Sequence, residues 1–365
     1  MNRKLVLEDG ACFEGTGFGS ASEKKVELVF NTSMVGYQEI LSDPSYTYQA
    51  VVMTYPLIGN YGMAEDDYES LCPSMSGLVV REYCDEPSNF RCVNTLGEIM
   101  EKYDIAGISG IDTRKLARHI RQFGSCKACI TDIDKDTEAV VTELKAWQLP
   151  TDAVSKVSTK KIYQEGNLEN CAYHVVAIDC GMKSNIVRDL VKRDCAVTVV
   201  PWDTTYAEIF CLHPDGLFIS NGPGDPADVE QTIETIRQSI GSFPIFGICL
   251  GHQIISRAYG ANTYKLKFGH RGGNHPVKNL LTGKIEVTSQ NHSYAVEQES
   301  LANTPLEVTH INLLDNTIEG VQCEKDSVFC VQYHPESAPG PQDSAYLFDR
   351  FLENMKQWKE EKHNA

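Results

Sequence analysis

Pro244-Ile245-Phe246-Gly247-Ile248-Cys249-Leu250-Gly251-His252-Gln253 decides how this chain is read. A short apolar run ends in Gly-x-Cys-x-Gly, and Ile254, Ile255, Ala258 and Tyr259 continue it as a helix-like segment. Strand, tight turn, helix is the order of a nucleophile elbow, here with Cys in place of Ser. A nucleophile on such a turn stands clear of its sheet, and the flanking glycines let backbone and substrate pass without a Cβ in the way. Backbone N–H groups opening the next helix would stabilise both a thiolate and an oxyanion. Taken alone, the motif fits a buried, inert Cys at the end of a core strand equally well.

A second stretch tips the reading. Val331-Gln332-Tyr333-His334-Pro335-Glu336 sets His and Glu two residues apart, on one face of an extended segment, and Pro335 biases His334 toward that geometry. His334 can serve as base to a thiol while Glu336 orients the imidazole through its other nitrogen. His-Pro-Glu by itself would read as a solvated loop; the two motifs together, in this order, read as a catalytic site.

The bulk numbers set the class. The chain has 365 residues, 42% of them hydrophobic, enough for two domains with their own cores. No apolar run approaches membrane-spanning length, and the acidic pair Glu8-Asp9 comes too early for a secretory leader. A formal charge of −17 argues against nucleic acid or an anionic membrane as main partner. Thirteen scattered cysteines, an odd count, suit reduced thiols in a cytoplasm rather than a disulfide framework. Cys126-Lys127-Ala128-Cys129 has no second pair to complete a zinc site, and His270 and His275 lack an acidic or thiol ligand at a usual spacing. No metal site is expected.

Residues 1–150 read as an N-terminal α/β domain devoted to assembly. Asp9-Gly10 marks a hairpin between Leu5–Glu8 and Ala11–Glu14, and β-rich runs follow at 26–30, 50–54 and 77–80. Helices are expected over 95–103, from Asp112 to Gly124, and over 132–147. The second carries Arg114, Lys115, Arg118 and Arg121 on one face, which fits a solvated surface or a docking surface. Residues 151–172 have little periodicity and read as a linker. From Tyr173 to about residue 360, strands at 175–179, 196–200 and 216–220 alternate with helices at 183–193 and 225–240 before the elbow. Such alternation means a mostly parallel sheet covered on both faces, with the site at the carboxyl ends of its strands. Asn221-Gly222-Pro223-Gly224-Asp225-Pro226 lies at one such end, as a ligand loop, a helix cap, or both.

Gly247 to Gln253 with His334 and Glu336 resembles the class I, triad-type glutamine amidotransferase domain. Lys265 to Pro276, Ser289-Gln290-Asn291-His292, and Phe30 to Glu39 narrow the resemblance to the small, glutamine-hydrolysing subunit of carbamoyl-phosphate synthase, over residues 3 to about 355. The resemblance implies a Cys249–His334–Glu336 triad and an oxyanion hole from the N–H groups of Leu250 and Gly222. It further implies L-glutamine held by Gly222, Gly224, Gln253 and Asn291, with Ser45 reaching over from the first domain. Ser293 and Tyr294 stand where the family pattern has Gly and Phe; the family uses backbone groups there for the ends of the substrate. It implies no cofactor on this chain, a large subunit that uses ATP and Mg, and heterodimers that can assemble further. Consistently, no phosphate-binding Gly-x-x-x-x-Gly-Lys-Ser/Thr is present; Gly283-Lys284-Ile285 lacks the upstream Gly and the hydroxyl. Two rivals stand beside it: an amidotransferase feeding another synthase, and a catalytically silent scaffold.

Overall fold

The computed structural model describes residues 2–364. They form two compact units, Met1–Thr151 with Lys267–Arg271, and Asp152–Leu266 with Gly272–Ala365.

The first unit is built on a closed seven-stranded barrel. Its strands run in the order Asn2–Leu7, Cys12–Gly19, Ala106–Ser109, Gly77–Val79, Gln49–Met53, Lys24–Asn31 and Cys126–Asp132, the last returning to the first. The expected hairpin is present, Leu5 opposite Phe13, but its second strand runs on to Gly19 and so reaches Ala106–Ser109. Closure leaves no open edge. Leu5, Leu7, Val26, Leu28, Val52, Ile108 and Ile130 fill one core cluster, against Leu116 and Ile120 from the helix Thr113–Phe123. Asp112 caps that helix, accepting from Lys115 N at 2.9 Å. Lys267–Arg271 belongs here because Phe268 packs on Phe30, ring centroids 6.0 Å apart, and Ser125 N donates to Lys267 O at 2.8 Å.

Two local expectations shift. The stretch read as a helix over 132–147 closes a strand at Asp132 and starts its helix at Thr137, where Asp136 accepts from Ala139 N. Cys126 and Cys129 lie three apart on a strand, so their side chains face opposite sides and cannot share a metal ion.

The second unit carries a ten-stranded sheet in the order Tyr163–Glu165, Cys195–Pro201, Tyr173–Asp179, Gly216–Ile219, Ile245–Ile248, Val328–Val331, Ile318–Cys323, Glu307–Asn312, Thr263–Asn279, Ile285–Val296. The five strands from Cys195–Pro201 through Val328–Val331 are parallel. These are the continuously apolar runs seen in the sequence, and they are buried because helices cover both faces. Ile233, Ile236, Ile254 and Ile255 pack on one side; Ile186, Leu190, Phe348 and Phe351 pack on the other. The stretch 151–172 is not featureless. It carries the helix Ala153–Val157 and an antiparallel edge strand, Tyr163–Glu165 on Val197–Val199. Downstream of the elbow the sheet turns antiparallel; the strand expected to end near Thr288 runs on from Ile285 to Val296, and the polar, Gly-rich stretch before it forms the long strand Thr263–Asn279. The helix expected from Asp225 begins later, at Glu230, after a single tight turn that Asp225 caps. No helix among the described residues is long and apolar enough to cross a membrane.

Candidate active site

Cys249 follows the strand Ile245–Ile248 and caps the helix Leu250–Ala258. Its backbone stands at φ 56°, ψ −104°, a conformation that L side chains rarely take, and the Cys is 2% exposed. Such strain persists only where surroundings enforce it. They do so here: Cys249 N donates to Val331 O at 2.9 Å, and Gln253 N closes the first helical turn on Cys249 O. Gly251 permits the turn, because a Cβ there would stand 2.3 Å from Ile219 O. Gly222 is held as tightly, its missing Cβ 2.2 Å from Cys180 O. Both contacts are with backbone and cannot give way. The N–H of Leu250, at the helix start, has no intrahelical acceptor.

Val328–Val331 pairs in parallel with Ile245–Ile248, and both end at the same edge of the sheet. The chain leaving it therefore delivers His334 beside the elbow. His334 Nδ1 and Glu336 Oε1 are 2.6 Å apart, and Lys183 Nζ donates to the same carboxylate oxygen at 2.9 Å. Lys183, His334 and Glu336 are all buried. Burial disfavours the His334 imidazolium, but the Glu336 carboxylate and the neighbouring Cys249 outweigh it and raise the His334 pKa to about 10. Burial would likewise raise Glu336, yet Lys183 and His334 hold it down, to about 2. An ionised Glu336 between two cations fixes the imidazole and favours its charged form. His334 Nε2, turned away from Glu336, has no partner in hydrogen-bond geometry among the described residues, although Cys249 lies close enough to raise the pKa of the ring. The Cys249 thiol points instead to Asn291 O, at 3.5 Å.

The remaining expected residues fall as follows. Gln253 Nε2 donates to Tyr294 O and Gln332 Oε1, each at 2.9 Å. Asn291, Ser293 and Tyr294 lie on the strand Ile285–Val296, whose Ser289 O accepts from His334 N at 2.9 Å. Gly222 and Gly224 follow the strand Gly216–Ile219, with Gly224 at φ +87°. Ser45 belongs to the first unit, in a tight turn where its N–H donates to Asp43 Oδ1 at 2.9 Å. Lys183 was not singled out in the sequence, where it reads as the start of a helix. One signal could have flagged it: it follows the parallel strand Tyr173–Asp179, at the carboxyl edge where such sheets place their sites.

Residues 176–354 match the model of the class I glutamine amidotransferase family, and residues 5–130 match that of the carbamoyl-phosphate synthase small chain. The chain is 54% identical to the carbamoyl phosphate synthase small chain of Bacillus cereus, over 99% of this chain and 98% of that protein. It is 54% identical to the small chain of Fusobacterium nucleatum, over 97% and 98%. It is 52% identical to the pyrimidine-specific small chain of Halalkalibacterium halodurans, over 100% and 99%.

Proposed function

The chain belongs to the carbamoyl phosphate synthase small-chain family, and we propose that it hydrolyses glutamine at Cys249 and delivers the ammonia to a large chain that makes carbamoyl phosphate from bicarbonate and ATP. The Cys249 proton passes to His334 Nε2 before the attack, and the thiolate Sγ then attacks the side-chain carbonyl carbon of glutamine. The N–H groups of Leu250 and Gly222 hold the oxyanion that forms. As the tetrahedral intermediate collapses, the carbon–nitrogen bond breaks and His334 returns the proton to the departing ammonia. A γ-glutamyl thioester remains. Water, deprotonated by His334, attacks it; the carbon–sulfur bond breaks, glutamate leaves and the thiol is restored. Glu336, held by Lys183, keeps the imidazole oriented and stabilises it whenever it carries the proton. Gly222, Gly224, Gln253, Asn291, Ser293 and Tyr294 hold the substrate. Ammonia free in water is mostly protonated near neutral pH and then cannot act as a nucleophile, so transfer between chains without release has a chemical purpose.

The observation that carries this reading is the buried Lys183–Glu336–His334 array beside a cysteine on a strained strand-to-helix turn, with one imidazole nitrogen open. Thioester chemistry requires no cofactor on this chain; ATP and Mg belong to the large chain's step. The thirteen free cysteines suit the cytoplasm.

The test is glutamate release from glutamine by the chain alone and with its large chain, ATP and bicarbonate. Slow turnover that rises with the large chain, and that disappears in Cys249→Ser without loss of fold, is expected. Wild-type turnover in Cys249→Ser would overturn the assignment.

A further inference from the structure

Glu319 lies on the strand Ile318–Cys323, is fully buried, and takes no part in the steps above. Its carboxylate accepts from two side-chain amides, Asn312 Nδ2 to Oε1 and Gln290 Nε2 to Oε2, each at 2.9 Å. A carboxylate only accepts, so it dictates which end of each amide faces it. Asn312 is held the same way from its other end, its Oδ1 taking Leu314 N at 2.9 Å.

The consequence falls on Gln290. With its NH2 turned to Glu319, and to Thr288 Oγ1 at 3.2 Å, its Oε1 faces His292 Nε2 at 2.7 Å. His292 Nδ1 in turn meets Tyr294 O at 2.8 Å. Each ring nitrogen of His292 therefore faces an oxygen at hydrogen-bond distance, and the ring is clamped along the backbone from Gln290 to Tyr294. That stretch is an edge of the active site. Asn291 O takes the Cys249 thiol, and Tyr294 O also takes Gln253 Nε2.

We propose that Glu319 and Gln290 are positioning residues for glutamine: Glu319 orients the Gln290 amide, Gln290 fixes His292, and His292 holds the Asn291–Tyr294 backbone in its substrate-binding shape. This rests on the glutamine-hydrolysing reading of the site. The hydrogen bonds of the relay lead to the substrate-binding backbone and not to the reacting atoms, so its loss weakens substrate binding and leaves the chemical step largely intact.

The experiment is steady-state glutamate release, with kcat and KM for glutamine, by wild type, Gln290→Met, Glu319→Leu and Glu319→Gln, alongside thermal melts. Gln290→Met keeps volume and removes all three side-chain hydrogen bonds, to Glu319, Thr288 and His292. Expected is a KM raised about tenfold or more in Gln290→Met and Glu319→Leu, with kcat within about threefold of wild type, the pattern of lost ground-state binding. Glu319→Gln can still present an oxygen to Gln290 Nε2, so its KM should stay within about threefold. If Glu319→Leu does not fold, Gln290→Met, which buries no new charge, decides alone. Folded variants with wild-type KM, or with a reduced kcat at unchanged KM, would overturn the relay. A wild type that releases no glutamate would instead bring down the reading of the site itself.

Discussion

Replacing Lys183 by Met tests whether the buried array is a charge-balanced device or a set of incidental contacts. Nζ of Lys183 stands 2.9 Å from Glu336 Oε1, and the two side chains are 3% and 0% exposed. At that distance the attraction is about 6 kcal/mol for an effective dielectric near 20, and most of it offsets the removal of two charges from water. Deleting the cation removes the offset but leaves Glu336 buried, and breaking such a pair costs about 3–5 kcal/mol. His334 stays beside Glu336 and is itself held in its charged form, so the lower end, about 3 kcal/mol, is expected. Urea denaturation at neutral pH measures it. The sign with pH follows from Glu336. Its pKa is depressed in the folded chain, so its contribution is present above its ordinary value and is lost as pH falls toward about 2. The gap between wild type and Lys183→Met should therefore narrow as the pH drops below about 4.5. Lys183→Met combined with Glu336→Gln, which removes both charges, should recover more than half of the lost stability. A less well-oriented imidazole should also lower kcat for glutamate release by about 10- to 100-fold in the single variant. A Lys183→Met chain within about 1 kcal/mol of wild type at neutral pH would refute the reasoning, because a carboxylate left that deeply buried cannot be indifferent to its cation.

Two further outcomes follow from the same geometry. Gly251→Ala places a methyl 2.3 Å from the Ile219 carbonyl oxygen, so the nucleophile helix must move; a loss of about 2–4 kcal/mol in urea denaturation and a collapse of glutaminase activity are expected. His334→Asn removes a group whose folded pKa is raised to about 10, so the stability that His334 contributes is fully present below its ordinary 6.5 and is lost as pH rises toward 10. The difference in melting temperature between wild type and His334→Asn should accordingly shrink from pH 6 to pH 10, and a widening difference would contradict the assigned sign.

What the sequence disclosed, and what it hid, divides along the separation of the residues that cooperate. The parallel half of the second unit could be read because each strand there is one unbroken apolar run and each helix buries a stripe of its own, as in Val175–Asp179 and in Ile233 with Ile236. The barrel could not. Gly77–Val79 and Ala106–Ser109 are three and four residues long, and closure depends on Asn2–Leu7 meeting Cys126–Asp132, a pairing with no local signature. Helix starts show the same limit on a smaller scale. Asp132 and Asp136 are both good caps by type, as Asp225 is by position, and only tertiary packing selects Asp136 and gives Asp225 a single turn to cap. At the site, Cys249 announces itself because an elbow is a local device of strand, turn and helix, and His334 with Glu336 because they stand two residues apart, though a turn closed by Ser337 N on His334 O, not an extended step, brings them together. Lys183 is 153 residues from the carboxylate it holds, and Glu319 is 29 from the amide it turns. The reacting atoms are thus encoded locally, while the charges and hydrogen bonds that set their pKa values and orientation come from distant strands converging on one edge of the sheet. A sequence can keep Cys249, His334 and Glu336 and still lose the reaction if those remote supports are altered, which is why the variants that discriminate here are at Lys183, Gln290 and Glu319 rather than in the triad.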